Sequence, residues 1–228
     1  MKQIQYDGFE LDHFDSASNF RNYQIGLIKP YLKGSLLEVG AGKGGLVSKY
    51  IKFISKVTLI EPDIKLFKFL KKKFKKIKIK IKNKTINQIQ NKFDVIIYFD
   101  VIEHIENDYL EVVNASKRLK KDGCLIFSVP AFQEFYSAFD KSVGHFKRYN
   151  KNDFLKLSKK CNLKIETIIY YDSIGFFLLL INKFFYLNQS NLKTKVFIWN
   201  LLIPFSRILD FITFNSFGKS LLCVFKKN

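Results

Sequence analysis

Arginine is scarce in this 228-residue chain: only Arg21, Arg118, Arg148 and Arg207 stand among 39 basic residues. The formal net charge of +19 invites a nucleic-acid or anionic-surface reading. Phosphate and base readers, however, lean on the forked donors of Arg, and no nucleic-acid motif accompanies the charge. Specific nucleic-acid binding is therefore not expected. Cysteine is scarce too. Cys124, Cys161 and Cys223 are far apart and form no CxxC, so neither a zinc site nor a disulfide framework is indicated. Three isolated thiols fit a reduced, cytoplasmic protein, and no metal site is expected. The segment Met1–Asp7 has no apolar core and no cleavage site, so it does not read as a signal peptide. No repeat and no low-complexity linker is visible. A hydrophobic content of 47% excludes disorder, and the length suits one domain, 1–228, with a sizeable core.

What is present is an alternation of strands and helices. The stretch 16–33 reads as the helix of a lead-in segment, 1–34. Leu36–Val39 reads as the first strand, and Gly45–Ile54 as the helix after a run of glycines. Val57–Ile60 is a second strand and Ile64–Lys76 a helix with Leu66, Phe67, Leu70 and Phe74 at helical spacing. The strict alternation of Ile77–Lys82 predicts an edge strand with one wet face. Phe93–Phe99 is apolar enough for a central parallel strand. A helix over Asp108–Leu119 and an Asp122-Gly123 turn lead to strand Cys124–Val129. A helix at Lys151–Cys161 and strands at Leu163–Tyr171 and Leu221–Phe225 complete the series. Such alternation predicts an α/β fold: a doubly wound, Rossmann-like, mostly parallel sheet of about seven strands. Its ligand would sit at the carboxyl ends of the strands, near the switch point. Residues 174–215 break the pattern and read as an apolar helical insertion before the last strand.

The most informative stretch is Leu36-Leu37-Glu38-Val39-Gly40-Ala41-Gly42-Lys43-Gly44-Gly45. Glycines let the chain turn sharply and let a ligand approach the backbone, and the following helix start offers free N–H groups. Gly40-x-Gly42-x-x-Gly45 also fits a dinucleotide fingerprint, so a nicotinamide-dependent oxidoreductase is an alternative, although no Tyr-x-x-x-Lys relay occurs. Glu38-x-Gly40-x-Gly42-x-Gly44 resembles motif I of the class I S-adenosylmethionine-dependent methyltransferases. Glu61, ending the second strand, matches the acid at that place in the superfamily. Asp100-Val101-Ile102-Glu103-His104-Ile105 resembles its "D-V-L-E-H" segment, and Leu119–Leu125 its "L-x-P-G-G-x-L" segment with Lys and Asp at the usual Pro and Gly. Gly144-His145-Phe146-Lys147-Arg148-Tyr149 resembles a "G-H-x-R-R-Y" segment of a bacterial branch, which also has the lead-in helix and an apolar insert.

The resemblance implies S-adenosylmethionine as cofactor, held by Glu38, Gly40, Gly42, Gly44 and Glu61. Glu61 would accept from the ribose hydroxyls and Glu38 would serve the ammonium group. Asp100 would face the methionine end, with a structural Asx-turn as the competing reading, and His104 would lie beside the cofactor, in a catalytic role or packed at a helix start. The loop Lys84-Thr85-Ile86-Asn87 lacks an acid for the adenine amino group, so backbone groups of Thr85 and Ile86 are the candidates there.

Methyl transfer to a hydroxyl or amine also needs a proton removed, and His is the usual agent near neutral pH. His13 reads as a surface residue. His145 is the candidate base, with Asp140 orienting its ring and Tyr149 and Arg148 binding the acceptor; the competing reading pairs Arg148 with Asp140 in a structural loop. In the insertion, Ile174–Leu187 is too short to span a bilayer, and Val196–Phe214 is interrupted by Pro204, Arg207 and Asp210. Asn200, Arg207 and Asp210 share a narrow polar stripe on which Arg207 and Asp210 are expected to pair. The helices then form a lid over a small-molecule, amphiphilic or lipid-linked acceptor, or lie at a membrane surface helped by Lys183, Lys193 and Lys195. A non-catalytic membrane-surface module is a third reading, disfavoured by the intact Glu38, Glu61 and glycines. Nothing in the sequence sets the oligomeric state.

Overall fold

Two helices, α1 (Leu11–Ser16) and α2 (Ser18–Ile28), lead into β1 (Ser35–Val39). The chain continues through α3 (Val47–Tyr50), β2 (Lys56–Ile60), α4 (Ile64–Lys73), β3 (Lys80–Lys82) and β4 (Phe93–Phe99). Then come α5 (Asp108–Lys117), β5 (Leu119–Pro130), α6 (Ala138–Ser142), α7 (Lys151–Cys161) and β6 (Lys164–Tyr171). The insertion forms α8 (Ser173–Phe185) and α9 (Leu192–Ile212), and β7 (Ser220–Lys226) closes the fold. The computed structural model describes residues 11–185 and 192–227; the side chains of Leu11, His13, Phe184 and Phe185 are not described. The readings of Met1–Asp7 and of the His13 side chain therefore lie outside the described residues.

Among the described residues, seven strands lie in the order β3-β2-β1-β4-β5-β7-β6. All neighbours are parallel except β7, which runs antiparallel between β5 and β6. This is the expected doubly wound, mostly parallel sheet. Successive strand residues face opposite sides: Leu36 and Ile97 pack with Phe20, Tyr50 and Trp199, while Leu37 and Ile96 pack with Val112, Ala115 and Phe154. The order reverses between β1 and β4, which opens the crevice at their carboxyl ends where ligands of such sheets bind.

Several elements differ from expectation. The lead-in helix is divided into α1 and α2, and β5 begins at Leu119, paired with Phe93, ahead of the expected Asp122-Gly123 turn. The helix after the glycines is one turn, α3, followed by a 3-10 turn at Ile51–Phe53. Leu46 at its N-terminus offers no side-chain cap, and the β-branched Val47 and Ile51 give it weak intrinsic support. The edge strand shrinks to Lys80–Lys82 because only Thr58–Ile60 pair with it; Ile77 and Ile79 are taken up in turns. Finally, the polar stripe of α9 is not an internal pair. Asp210 accepts from the Tyr23 hydroxyl at 2.7 Å and from the backbone N–H of Asp172 and Ser173. The Arg207 guanidinium stands over the Tyr23 ring, 5.3 Å from its centre. Asn200 accepts from the backbone N–H of Asn19 and Phe20 at 3.0 and 3.1 Å. The stripe bolts α9 to α2 and to the end of β6.

Candidate functional site

The glycine turn after β1 takes left-handed backbone at Gly40 (φ 64°) and Gly42 (φ 53°). A Cβ on Gly40 would also come within 2.7 Å of Val101 Cγ2, so side chains are excluded twice over. Gly40 and Gly42 line a cavity of about 310 Å³ together with Glu38, Glu61, Lys84, Thr85, Ile86, Asp100 and His104. Gly44 (φ 70°) does not line it; its open side faces Phe74, 2.5 Å from where a Cβ would stand. Its role is to seat the turn on the end of α4.

Glu38 is buried and accepts from the Tyr50 hydroxyl. Burial pushes its carboxyl up to about 7 despite that bond. Glu61 accepts from the N–H of Gly42 and of Asp63, both at 2.9 Å. Burial pushes it up to about 7 as well, against those two donors. The helix after Pro62 is capped by Asp63, which accepts from Lys65 and Leu66; Glu61 is thereby left to face the cavity. At the loop after β3, the Thr85 N–H is occupied by Gln88 Oε1 at 3.0 Å, so it is not open to adenine. Asp100 holds left-handed backbone (φ 56°) and accepts from Arg21 at 3.1 Å.

A second cavity of about 120 Å³ adjoins the first and shares Arg21, Asp100 and His104 with it. Its wall includes Glu103, Phe139, Asp140, His145, Arg148, Trp199 and Lys219. His145 Nδ1 lies 2.9 Å from Asp140 Oδ1, and the loop is pinned by Tyr136, whose hydroxyl donates to the His145 carbonyl. Asp140 is held well below the usual carboxylate range by its bonds to His145, Arg148 and Ser137, which outweigh its burial. Arg148 is committed to that carboxylate through Nε and Nη2, at 2.8 and 3.0 Å. The structural pairing with Asp140 therefore holds for it, while the rest of its guanidinium still lines the smaller cavity. Tyr149 does not reach that cavity: it is fully buried, and its hydroxyl donates to Asp108 at 3.1 Å, with the Ile102 carbonyl 3.3 Å away as the alternative acceptor. It braces the loop from beneath.

Sequence reasoning missed Glu103. Its side chain is fully buried, and neither carboxylate oxygen has a hydrogen-bond partner among the described residues. Burial, and then the charge of Asp100, push it well above its ordinary range. His145 Nε2 lies 4.0 Å from Glu103 Oε1, and the His104 and His145 rings meet edge to face at 4.6 Å. Burial and the neighbouring His145 bring His104 down to about 4. Glu103, His104 and His145 present donor atoms within 4.8 Å of one another, a spacing a cation could bridge and one that no sequence motif signalled. Arg21 was missed as well. It joins Asp100 and, at 3.6 Å, Asp15, both of which line the larger cavity. The one available signal was rarity: where Lys covers the surface, Arg21 and Arg148 mark buried ion pairs.

The pattern of the methyltransferase-domain family matches residues 14–168. A curated relative, the ubiquinone biosynthesis O-methyltransferase of Pelagibacter ubique, is 25% identical over 61% of this chain. The chain spans 65% of that relative's length. Among solved structures, the N-methyltransferase NodS of Bradyrhizobium japonicum in complex with S-adenosyl-L-homocysteine superposes with a TM-score of 0.59. It is 15% identical, over 99% of this chain and 94% of that one. An S-adenosylmethionine-dependent methyltransferase from Clostridium acetobutylicum gives 0.61 at 13% identity, over 97% and 96%. The nicotinamide-dependent and non-catalytic readings find no support among these relatives. With the strand order, the glycine turn and the two strand-end acids in place, the chain belongs to the methyltransferase-domain family of the class I S-adenosylmethionine-dependent methyltransferases.

Proposed function

We propose that this protein methylates a hydroxyl or amine of a small amphiphilic or lipid-linked acceptor, with His145 removing the acceptor's proton. The observation that carries the reading is the pair of adjoining cavities with Arg21, Asp100 and His104 in their common wall. The larger fits S-adenosylmethionine: a turn without side chains at Gly40 and Gly42, two buried strand-end carboxylates, and room of about 310 Å³. Bound there, the cofactor would supply a sulfonium-activated methyl group for in-line displacement, so that positioning contributes much of the rate. Glu61 would accept from the ribose hydroxyls, Glu38 would serve the ammonium group, and Asp100 would face the methionine end.

In the smaller cavity, His145 has the Asp140 carboxylate on Nδ1. That bond places the proton on Nδ1 and leaves Nε2 as the basic atom. Phe14, Phe20, Phe139 and Trp199 give the cavity an apolar wall, which suits an acceptor with an aromatic or aliphatic body. The O-methyltransferase relative favours a hydroxyl as the acceptor group.

The test pairs binding with turnover. Calorimetry should show S-adenosylmethionine binding and no comparable NAD binding; the reverse overturns the reading. With an accepted phenol or lipid-linked hydroxyl, His145→Ala should keep cofactor affinity and lower turnover by roughly 10²–10⁴-fold. Unchanged turnover removes His145 from the chemistry. Running the assay with and without a chelator separates a base from a cation ligand.

A further inference from the structure

Helix α9 is apolar on both sides. Val196, Trp199, Ile203 and Ser206 face inward and are buried. On the opposite side, Phe197, Leu201, Phe205, Ile208 and Ile212 follow one another at steps of four and three, a continuous stripe on a helix of 3.6 residues per turn. These side chains are 61, 52, 62, 60 and 62% exposed, and Phe211 beside them is 82% exposed. Single exposed apolar residues need no explanation; a contiguous aromatic and aliphatic face on a soluble-sized domain does. The inward side is already used, since Asn200 and Asp210 fasten it to α2 and β6. The outward stripe is therefore not the lid surface over the acceptor cavity.

The charge around this face says what covers it. Lys193, Lys195 and Arg207 are exposed on α9 itself, while Lys183 on α8 is turned to the Glu134 carbonyl at 2.9 Å. Asp210 is the one acid in the sequence from Ser173 onward, and it is buried. A second copy of the chain would bring the same cations against these and be repelled. An anionic surface would be attracted over the whole molecule, which carries +19. Among the described residues no helix is long and apolar enough to cross a membrane. An apolar stripe flanked by cations and too interrupted to span is the pattern of a helix lying in a bilayer interface.

We infer that the outer face of α9 docks this protein onto an anionic lipid bilayer, with Phe205, Ile208 and Phe211 entering the acyl boundary and the flanking Lys and Arg meeting headgroups. The inference does not rest on the methyl-transfer reading, yet it bears on it. Trp199, on the inner side of the same helix, lines the smaller cavity, so a docked molecule holds that cavity within one helix diameter of the lipid.

Flotation with vesicles of phosphatidylglycerol and phosphatidylcholine tests this on the full chain. The protein should float with the mixed vesicles, float much less with phosphatidylcholine alone, and be released by salt. The variant F205D/I208D/F211D changes only exposed positions and should lower the vesicle-bound fraction by about tenfold or more. Calorimetric S-adenosylmethionine binding reports that the variant remains folded, and if that cofactor does not bind the wild type either, its unfolding transition serves instead. K193E/K195E should weaken flotation with the anionic vesicles alone. A chain that stays unbound at low salt overturns the inference, as does flotation unchanged by the aspartates. So does light scattering that shows a dimer broken by the aspartates without vesicle binding, which would make the face a contact between copies.

Discussion

Glu38 and Glu61 sit one strand apart, both buried and both pushed up to about 7. For each, the folded value lies above the ordinary 4.5, so the folded chain holds protons that the unfolded chain releases. Their ionisation therefore costs the free fold stability as pH rises from 4.5 through about 7. Ribose hydroxyls on Glu61 and an ammonium group near Glu38 would favour the ionised forms. Cofactor binding is then coupled to proton release below about pH 7: affinity should rise with pH up to there and level off above it. Calorimetry in two buffers of different ionisation enthalpy reads this directly. Glu61→Gln should remove part of the slope and weaken binding by about 1.5–3 kcal/mol, the range for charge-assisted hydrogen bonds. An affinity independent of pH would contradict the assignment of both carboxylates. These two residues were legible because each lies at the end of an apolar strand, within two residues of a glycine or proline, a purely local pattern. Glu103 was not, because burial of its carboxylate is set by the loop at 140–148, far along the chain.

At the scale of elements, α2 shows what local reading cannot reach. Its N-cap position is Ala17, which has no side chain to offer the free N–H groups of the first turn. Asn200 of α9 supplies the missing acceptor, and Asn19 returns a bond to the Asn200 carbonyl. The helix start is thus capped from 181 residues away, and the polar stripe that suggested an Arg207–Asp210 pair serves the neighbouring helix instead. Strands β1, β2, β4 and the apolar part of β5 were legible from their runs, whereas α3 and β3 fell short of their patterns, α3 for lack of a cap and β3 because β2 pairs with only three of its residues. Asn200→Ala should cost about 0.5–2 kcal/mol, as the loss of a cap does, and should leave Nδ1 of His145 on Asp140 undisturbed. Urea unfolding measures the first and the pH profile of turnover the second. A variant as stable as the wild type would show that α2 does not depend on α9 for its start.

The molecule as a whole carries its charge unevenly, and this sets how it answers to salt. The chain has 39 basic and 20 acidic residues, and several of the acids are buried at the site or under the insertion, among them Glu38, Glu61, Glu103 and Asp210. The surface cations thus outnumber their partners by more than the composition shows. The ion pairs that do form at the surface, such as Lys43–Asp12 and Lys164–Glu166, each contribute little. Screening weakens attraction and repulsion alike, but here repulsion is in excess. The expected outcome is that sodium chloride raises the unfolding temperature of the free protein between low and physiological ionic strength. The rise should be on the order of 2–4 °C, which corresponds to about 1 kcal/mol in a domain of this size. Scanning calorimetry across a salt series checks it. A falling transition temperature would mean that the specific pairs, Lys120 with Asp94, Arg148 with Asp140, and Arg21 with Asp15 and Asp100, outweigh the excess charge, and that the fold is held by its electrostatics rather than in spite of them.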